Sequence, residues 1–314
     1  MVALQKESDR HIPVLHREVI AALNLIERSV VVDATFGRGG HTRSIMSQLG
    51  DAGRMLVIDR DPEAVASARQ EWSADQRIDI VQAPFSRLKA ILEDHDLYGR
   101  VTGILFDLGV SSPQLDDSAR GFGFSHDGPL DMRMDPDSGI SAADWLEQVE
   151  ERELVRVLKT LGEERFARRV ASRIKAHGRF QTTTELAAVV ASAVATREPG
   201  KHPATRTFQA IRIAINRELE EIESALPQAL DALAEGGRLV VISFHSLEDR
   251  LVKRFIRDQS RGDPYPPDMP IRHDMLNPRL KPVGKPVRAG AEELRANRRA
   301  RSAVMRVAEK VSSR

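Results

Sequence analysis

The chain has 314 residues, long enough for two domains or for one large α/β domain carrying an insertion. Hydrophobic content of 41% and charged content of 30% describe an ordinary globular protein, and the lack of cysteine excludes disulfides, thiolate metal sites and a cysteine nucleophile. The net charge of +1 hides an asymmetry: residues 279–314 hold eleven Lys/Arg against Glu292, Glu293 and Glu309, a local +8 that leaves −7 on the rest. A basic tail on a mildly acidic body suits a polyanionic partner, although a merely solvated tail would have the same composition.

In chain order, Glu7, Asp9 and Arg10 first interrupt any signal-peptide core, and no apolar run approaches membrane-spanning length, so a cytoplasmic protein is expected. The most informative stretch follows: Val31-Val32-Asp33-Ala34-Thr35-Phe36-Gly37-Arg38-Gly39-Gly40-His41, then Leu56-Val57-Ile58-Asp59. A β-branched run meets an acid and a glycine cluster, and a second apolar run stops at Asp59, 22 residues beyond Gly37. This strand–loop–helix–strand–acid layout belongs to nucleotide-cofactor sites, where glycines let backbone N–H groups approach the ligand and the acid accepts ribose hydroxyls. The third glycine of a dinucleotide fingerprint would fall at Thr42, so a ligand carrying an amine, such as S-adenosylmethionine, fits better than a dinucleotide. Asp33, at the mouth of the loop, either meets that amine or orders its own loop.

Strand-like runs recur at residues 30–34, 55–59, 78–81, 103–108 and 238–244, with helical patterns such as 62–71 and 85–93 between the first four. That alternation predicts a parallel sheet covered on both faces. Residue Phe85 could pack on an adenine or simply start a helix. The fourth strand ends at Asp107, which a doubly wound sheet aims at the same crevice as Gly39 and Asp59. Beyond it the rhythm breaks for over a hundred residues, too long for one crossover. Helical patterns at 145–161, 163–177, 184–195 and 208–233, with Ser141 opening the first and Pro227 as a kink or boundary, read as an inserted helical domain. Gly236-Gly237 are expected to stop the last helix.

The loop 120–135 mixes Phe122 and Phe124 with glycines and charges, a composition that can clamp a flipped base. Its acids Asp127, Asp131 and Asp135 lack the spacing of a calcium loop, and no metal is expected. Lys201 and Arg206 are candidate phosphate clamps, each otherwise a surface charge. After the fifth strand, Ser243-Phe244-His245-Ser246 offers no G-x-S-x-G elbow; Ser246 reads as the N-cap of the next helix, with His245 free to touch substrate. Residues 301–308 alternate like a late edge strand. On these residues alone, a NAD-dependent dehydrogenase and a non-catalytic RNA-binding ribosome-assembly factor stay open beside a methyltransferase.

Residues 11–15, 33–41, 58–62, 107–117, 120–135, 201–210, 242–249 and 297–307 closely resemble the MraW family of bacterial 16S ribosomal RNA cytosine-N4 methyltransferases. The strings run in order over nearly the whole chain, and only the connector 261–284 matches loosely. The resemblance implies an α/β class I S-adenosylmethionine-dependent methyltransferase, a Rossmann-like doubly wound sheet with an inserted all-helical domain. Residues 1–112 and 218–314 would form the methyltransferase domain and 113–217 the substrate-recognition insertion. It implies S-adenosylmethionine as cofactor, and N4-methylation of a cytidine in the decoding region of 16S ribosomal RNA, free or in the small ribosomal subunit. No membrane partner is expected, and a homodimer is compatible with it. Carried over by position, cofactor contacts fall on Gly39, Gly40, His41, Asp59, Phe85, Asp107 and Gln114.

Many amino-methyltransferases hold the target amine with D/N-P-P-Y/F/W after the fourth strand. Here Asp107-Leu108-Gly109-Val110 lacks the prolines and the aromatic. The stacking face must then come from Phe122, Phe124 or Phe244, with Phe122 and Phe124 closing as a lid. Asp107 and His245 are the candidate catalytic groups, and in-line positioning of the methyl group is the expected source of rate.

Overall fold

The computed structural model describes residues 13–194, 200, 202–263 and 276–312, and among them the chain forms two compact units. The first comprises residues 1–109 and 221–314, the second Val110–Glu220. The inserted unit thus begins at Val110 rather than residue 113 and ends at Glu220 rather than residue 217. No helix among the described residues is long and apolar enough to cross a membrane.

In the first unit α1 (His16–Leu23) precedes the alternation β1 (Val30–Asp33), α2 (Gly40–Met46), β2 (Arg54–Asp59), α3 (Pro62–Glu71), β3 (Ile78–Gln82), α4 (Leu88–Asp94) and β4 (Val101–Asp107). Local signals set these boundaries. Pro62 occupies the first turn of α3, where its missing N–H costs nothing, and the Asp61 carboxylate caps the helix by accepting from the Glu63 N–H at 3.0 Å. Phe85 opens a single 3₁₀ turn ahead of α4. Strand residues such as Val31, Val32, Leu56, Val57, Ile104 and Leu105 are wholly buried, as strands covered on both faces require.

The second unit holds α5 (Ser112–Asp116), α6 (Ala142–Gln148), α7 (Glu151–Leu161), α8 (Ala167–His177), α9 (Thr183–Ala193) and α10 (Thr205–Asn216). Its core is built on Leu154, Leu158, Val170, Ile174, Leu186 and Ile211. The expected helix 145–161 is two helices, because Val149 and Glu150 are extended between α6 and α7. The expected helix 208–233 breaks at Arg217, which adopts φ 52° between α10 and α11 (Glu218–Ala232), while Pro227 lies inside α11 without ending it. Ser141 caps α6 as read from the sequence, its hydroxyl accepting from the Asp144 N–H at 3.1 Å.

The chain then completes the first unit with β5 (Leu233–Ser243), α12 (Ser246–Arg261), β6 (Leu280–Pro282), α13 (Ala291–Ala296) and β7 (Val304–Lys310). Gly236 and Gly237 lie within β5 rather than at the helix end, beside the register irregularity between Val101 and Gly103. The described strands form a seven-stranded sheet in the order β3-β2-β1-β4-β5-β7-β6. Strands β1 to β5 pair in parallel, and β7 pairs antiparallel with both β5 and β6. The late strand is therefore not an edge: β6, drawn from the connector, takes that place. This is a doubly wound α/β sheet. Its winding reverses between β1 and β4, and ligands bind at such a switch point beyond the carboxyl ends of the strands.

Nor is the basic segment a free tail. Arg306 forms a two-bond pair with Asp249 (2.7 and 2.9 Å), Arg238 pairs with Glu309 at 2.8 Å, Arg279 pairs with Asp231, and Lys310 donates to the carbonyls of Asp231 (3.1 Å) and Leu233 (2.6 Å). Three of the segment's eleven cations, Arg279, Arg306 and Lys310, are thus tied to the first unit.

Candidate active site

Strand register lines up Asp33, Asp59 and Asp107 at the carboxyl ends of β1, β2 and β4, with Ser243 ending β5. Each acid has a different task. The Asp33 carboxylate is buried (1% exposed) and accepts from the Thr42 hydroxyl at 2.7 Å and the Thr35 N–H at 3.1 Å. Burial pushes its pKa up, opposed by the Thr42 hydrogen bond and by His41. It orders its own loop, which removes it as the acceptor of a ligand amine. Thr42, where a dinucleotide fingerprint would have glycine, is committed to that bond.

Asp59 ties the glycine loop to β2. Its two oxygens accept from the Gly37 N–H at 2.8 Å and the Asp61 N–H at 2.9 Å. Each oxygen keeps a second lone pair, enough to accept a pair of ribose hydroxyls. Burial raises the Asp59 carboxyl to about 6, against those two backbone hydrogen bonds, which lower it. The loop itself needs its glycines: Gly39 has φ +70°, and a Cβ there would stand 2.6 Å from the Phe36 ring.

His41, in the first turn of α2, is 4% exposed, and neither ring nitrogen has a hydrogen-bond partner. Its Nε2 lies 3.6 Å from Asp107 Oδ2, while Asp107 Oδ1 is buried and also without a partner. The Asp107 N–H donates to the Thr35 hydroxyl at 2.7 Å, which fixes the end of β4 against the loop. Buried polar atoms left unpaired cost about 1–3 kcal/mol each, so such a group is normally completed by ordered water, an ion or a ligand. An ammonium and hydroxyl-bearing cofactor supplies the donors that Asp107 and Asp59 lack, so the residues fit S-adenosylmethionine. His16, missed in the sequence, stacks its ring 6.2 Å from that of His41 and bonds Ser44 Oγ at 2.5 Å. Burial and then the neighbouring His41 push its pKa down. Nothing in its local pattern marks it; only the packing of α1 on α2 brings it here. Phe85 is half-buried and meets Phe106 edge-on, centroids 5.5 Å apart, which leaves a ring face for an adenine.

At the end of β5 the structure corrects one expectation. His245, not Ser246, is the N-cap of α12, its Nδ1 facing the Glu248 N–H at 3.4 Å. Its Nε2 lies 3.2 Å from Glu248 Oε1 without a hydrogen bond. Glu248 is fully buried and its Oε2 accepts from the N–H groups of Phe244 (2.7 Å) and His245 (3.1 Å). The capping-box spacing from His245 to Glu248 was the signal that would have found it. Phe244 is half-buried.

In the second unit, Gln114 is buried, and its amide oxygen accepts from the Ser111 N–H at 3.0 Å, closing the capping box of α5. Phe122 is a core residue at 5% exposure with the Arg120 guanidinium over its ring, so it offers no free stacking face. Phe124 packs against Phe208 and His202, centroids 4.8 and 4.6 Å away. The loop they occupy is tied down: Arg120 donates to the carbonyl of Met134 at 3.0 Å, and Asn216 donates to that of Met132 at 2.8 Å and accepts from the Met134 N–H at 2.8 Å. A mobile lid is not its form. Lys201 lies outside the described residues. Arg206 donates to the Glu163 carbonyl, and Arg212 is held by Glu218 in a two-bond pair at 2.8 Å.

The model of the MraW methylase family matches residues 8–311. The ribosomal RNA small subunit methyltransferase H of Thiobacillus denitrificans is 55% identical over 306 residues, 96% of this chain and 97% of that protein. Among solved structures, an rRNA methylase from Streptococcus thermophilus aligns with a TM-score of 0.42 at 12% identity, covering 95% of this chain and 94% of that one. A SAM-dependent O-methyltransferase from Thermotoga maritima gives 0.42 at 11% identity, covering 99% and 70%. With the family model matched over residues 8–311 and a relative 55% identical over 96% of this chain, the chain belongs to the MraW methylase family and is an S-adenosylmethionine-dependent methyltransferase.

Proposed function

We propose that this enzyme methylates the N4 amine of a cytidine in small-subunit ribosomal RNA, in the decoding region of the 16S molecule. The observation that carries the reading is the buried, unpaired Oδ1 of Asp107, on the same carboxyl edge as Asp59, in a chain 55% identical to a protein named for that RNA. The cofactor supplies an electrophilic methyl group on a sulfonium. Asp59 accepts the ribose hydroxyls, Phe85 lies against the adenine, and Asp107 Oδ1 accepts from the ammonium group.

The cytosine amine is conjugated with its ring and is a weak nucleophile, so holding it in line with the methyl group is what the protein must do. No strong base is needed, since the proton can leave to water after transfer. The absence of a D/N-P-P-Y/F/W motif leaves Phe244, two residues beyond the Ile242 that pairs with Asp107, as the stacking face for the base. His245, turned toward Glu248, positions Phe244 and the start of α12 rather than abstracting a proton. The helical unit, with Arg206 and Lys201, and the exposed cations of residues 279–312 supply RNA contacts. Mass spectrometry of 16S RNA from a deletion strain, before and after complementation, tests the reading: a cytidine methylated at N4 must vanish and return. An unchanged RNA would refute it.

A further inference from the structure

The first unit carries a cleft that the methyl-transfer site does not use. It has a volume of about 310 Å³ and lies between α12 and the segment joining β6 to β7. Lys253, Arg257 and Arg261 stand four residues apart on α12 and share one face, and Lys285 faces them from the other wall. All four are exposed. Among the described residues no acid lines the cleft, and two acids of α12 are engaged, Asp249 by Arg306 and Asp258 by Arg257 at 2.8 Å. Lys253, Arg261 and Lys285 form no ion pair among the described residues. The floor is apolar, with Ile256, Val283 and Val307 and the rings of Pro282 and Pro286.

A cationic groove that can follow the phosphate backbone is the electrostatic part of single-strand binding, and the apolar floor gives the bases a surface to lie against. We infer that this cleft binds a single-stranded segment of the RNA substrate outside the methylated nucleotide, through phosphate contacts to Lys253, Arg261 and Lys285. The inference rests on RNA being the substrate, as proposed above.

The test uses the full chain with Lys253→Ala, Arg261→Ala and Lys285→Ala combined. All three side chains are exposed, so the fold is not at risk. A single-stranded oligoribonucleotide, 16S RNA and isolated small subunits are titrated over a salt series, and S-adenosylhomocysteine is titrated separately. The slope of log K against log salt should flatten by about 0.7 per lost phosphate contact, about two units in all. RNA affinity at physiological salt should fall on the order of tenfold or more, with S-adenosylhomocysteine affinity unchanged. An unchanged slope in a wild-type-competent preparation overturns the cleft. Lost subunit binding with an unchanged slope on naked RNA assigns the cleft to a ribosomal protein and also overturns it. If the wild-type protein methylates no small-subunit RNA yet the slope still flattens, the methylation reading fails and the cleft stands.

Discussion

His41 Nε2 and Asp107 Oδ2 lie 3.6 Å apart, too far for a hydrogen bond, with both His41 nitrogens and Asp107 Oδ1 otherwise unpaired. One residue comes from the first turn of α2, the other from the end of β4. The fold holds a buried imidazole beside a half-buried carboxylate without letting them satisfy each other. That arrangement is costly in the free protein and is relieved by a ligand that donates to the carboxylate.

Asp107→Asn should therefore weaken S-adenosylhomocysteine binding. A hydrogen bond to a charged group is worth about 1.5–3 kcal/mol, so the loss should be about tenfold to a hundredfold. Isothermal titration measures it, and wild-type affinity would remove Asp107 from the ammonium site.

Asp59 adds a pH dependence. Asp59→Ala should cost about 2–3 kcal/mol of cofactor affinity by removing a charge-assisted pair of bonds. The ionised carboxylate is the better acceptor for ribose hydroxyls, and its pKa is about 6. Affinity should then decline as pH falls below about 6, and Asp59→Asn should lose that inflection. The sign for stability is opposite. The free folded protein holds this proton more tightly than the unfolded chain. Its contribution to stability is greatest below the ordinary carboxylate range and declines as pH rises toward about 6. Melting curves across pH, with and without S-adenosylhomocysteine, check both.

Gly39→Ala should destabilise the fold. A side chain at φ +70° costs about 1–2 kcal/mol, and the buried Phe36 ring cannot move from the new Cβ without further loss. Urea unfolding gives the magnitude, and cofactor affinity should drop with it because the loop N–H groups shift.

Glu248→Ala should lower stability by about 2–4 kcal/mol, since the N–H groups of Phe244 and His245 lose their acceptor. Glu248→Gln keeps an acceptor oxygen and should be much milder. Equal effects of the two changes would show that side-chain packing, rather than the capping box, sets the cost.

Phe244 and Phe122 should separate by readout. Phe244→Ala should slow single-turnover methylation by about ten- to a hundredfold, the worth of one stacked base. Phe122→Ala should instead cost about 3–5 kcal/mol of stability in the helical unit, as a truncated core aromatic does. A wild-type rate for Phe244→Ala would leave the base without this stacking face.

The sequence by itself determined the sheet and the site edge. β-branched runs that end in an acid at Asp33, Asp59 and Asp107 are a local, period-independent signal of buried parallel strands, and the strand ends follow from them. Tertiary structure decided the roles of those acids, because which lone pairs remain free depends on neighbours far along the chain: Thr42 for Asp33, Gly37 for Asp59, Thr35 and His41 for Asp107. It also turned a run of positive charge into two strands with internal ion pairs and turned Phe122 from a candidate lid into core. Composition records how much charge and aromatic surface a segment carries; only packing determines which of it faces solvent, and only solvent-facing groups can meet a ligand.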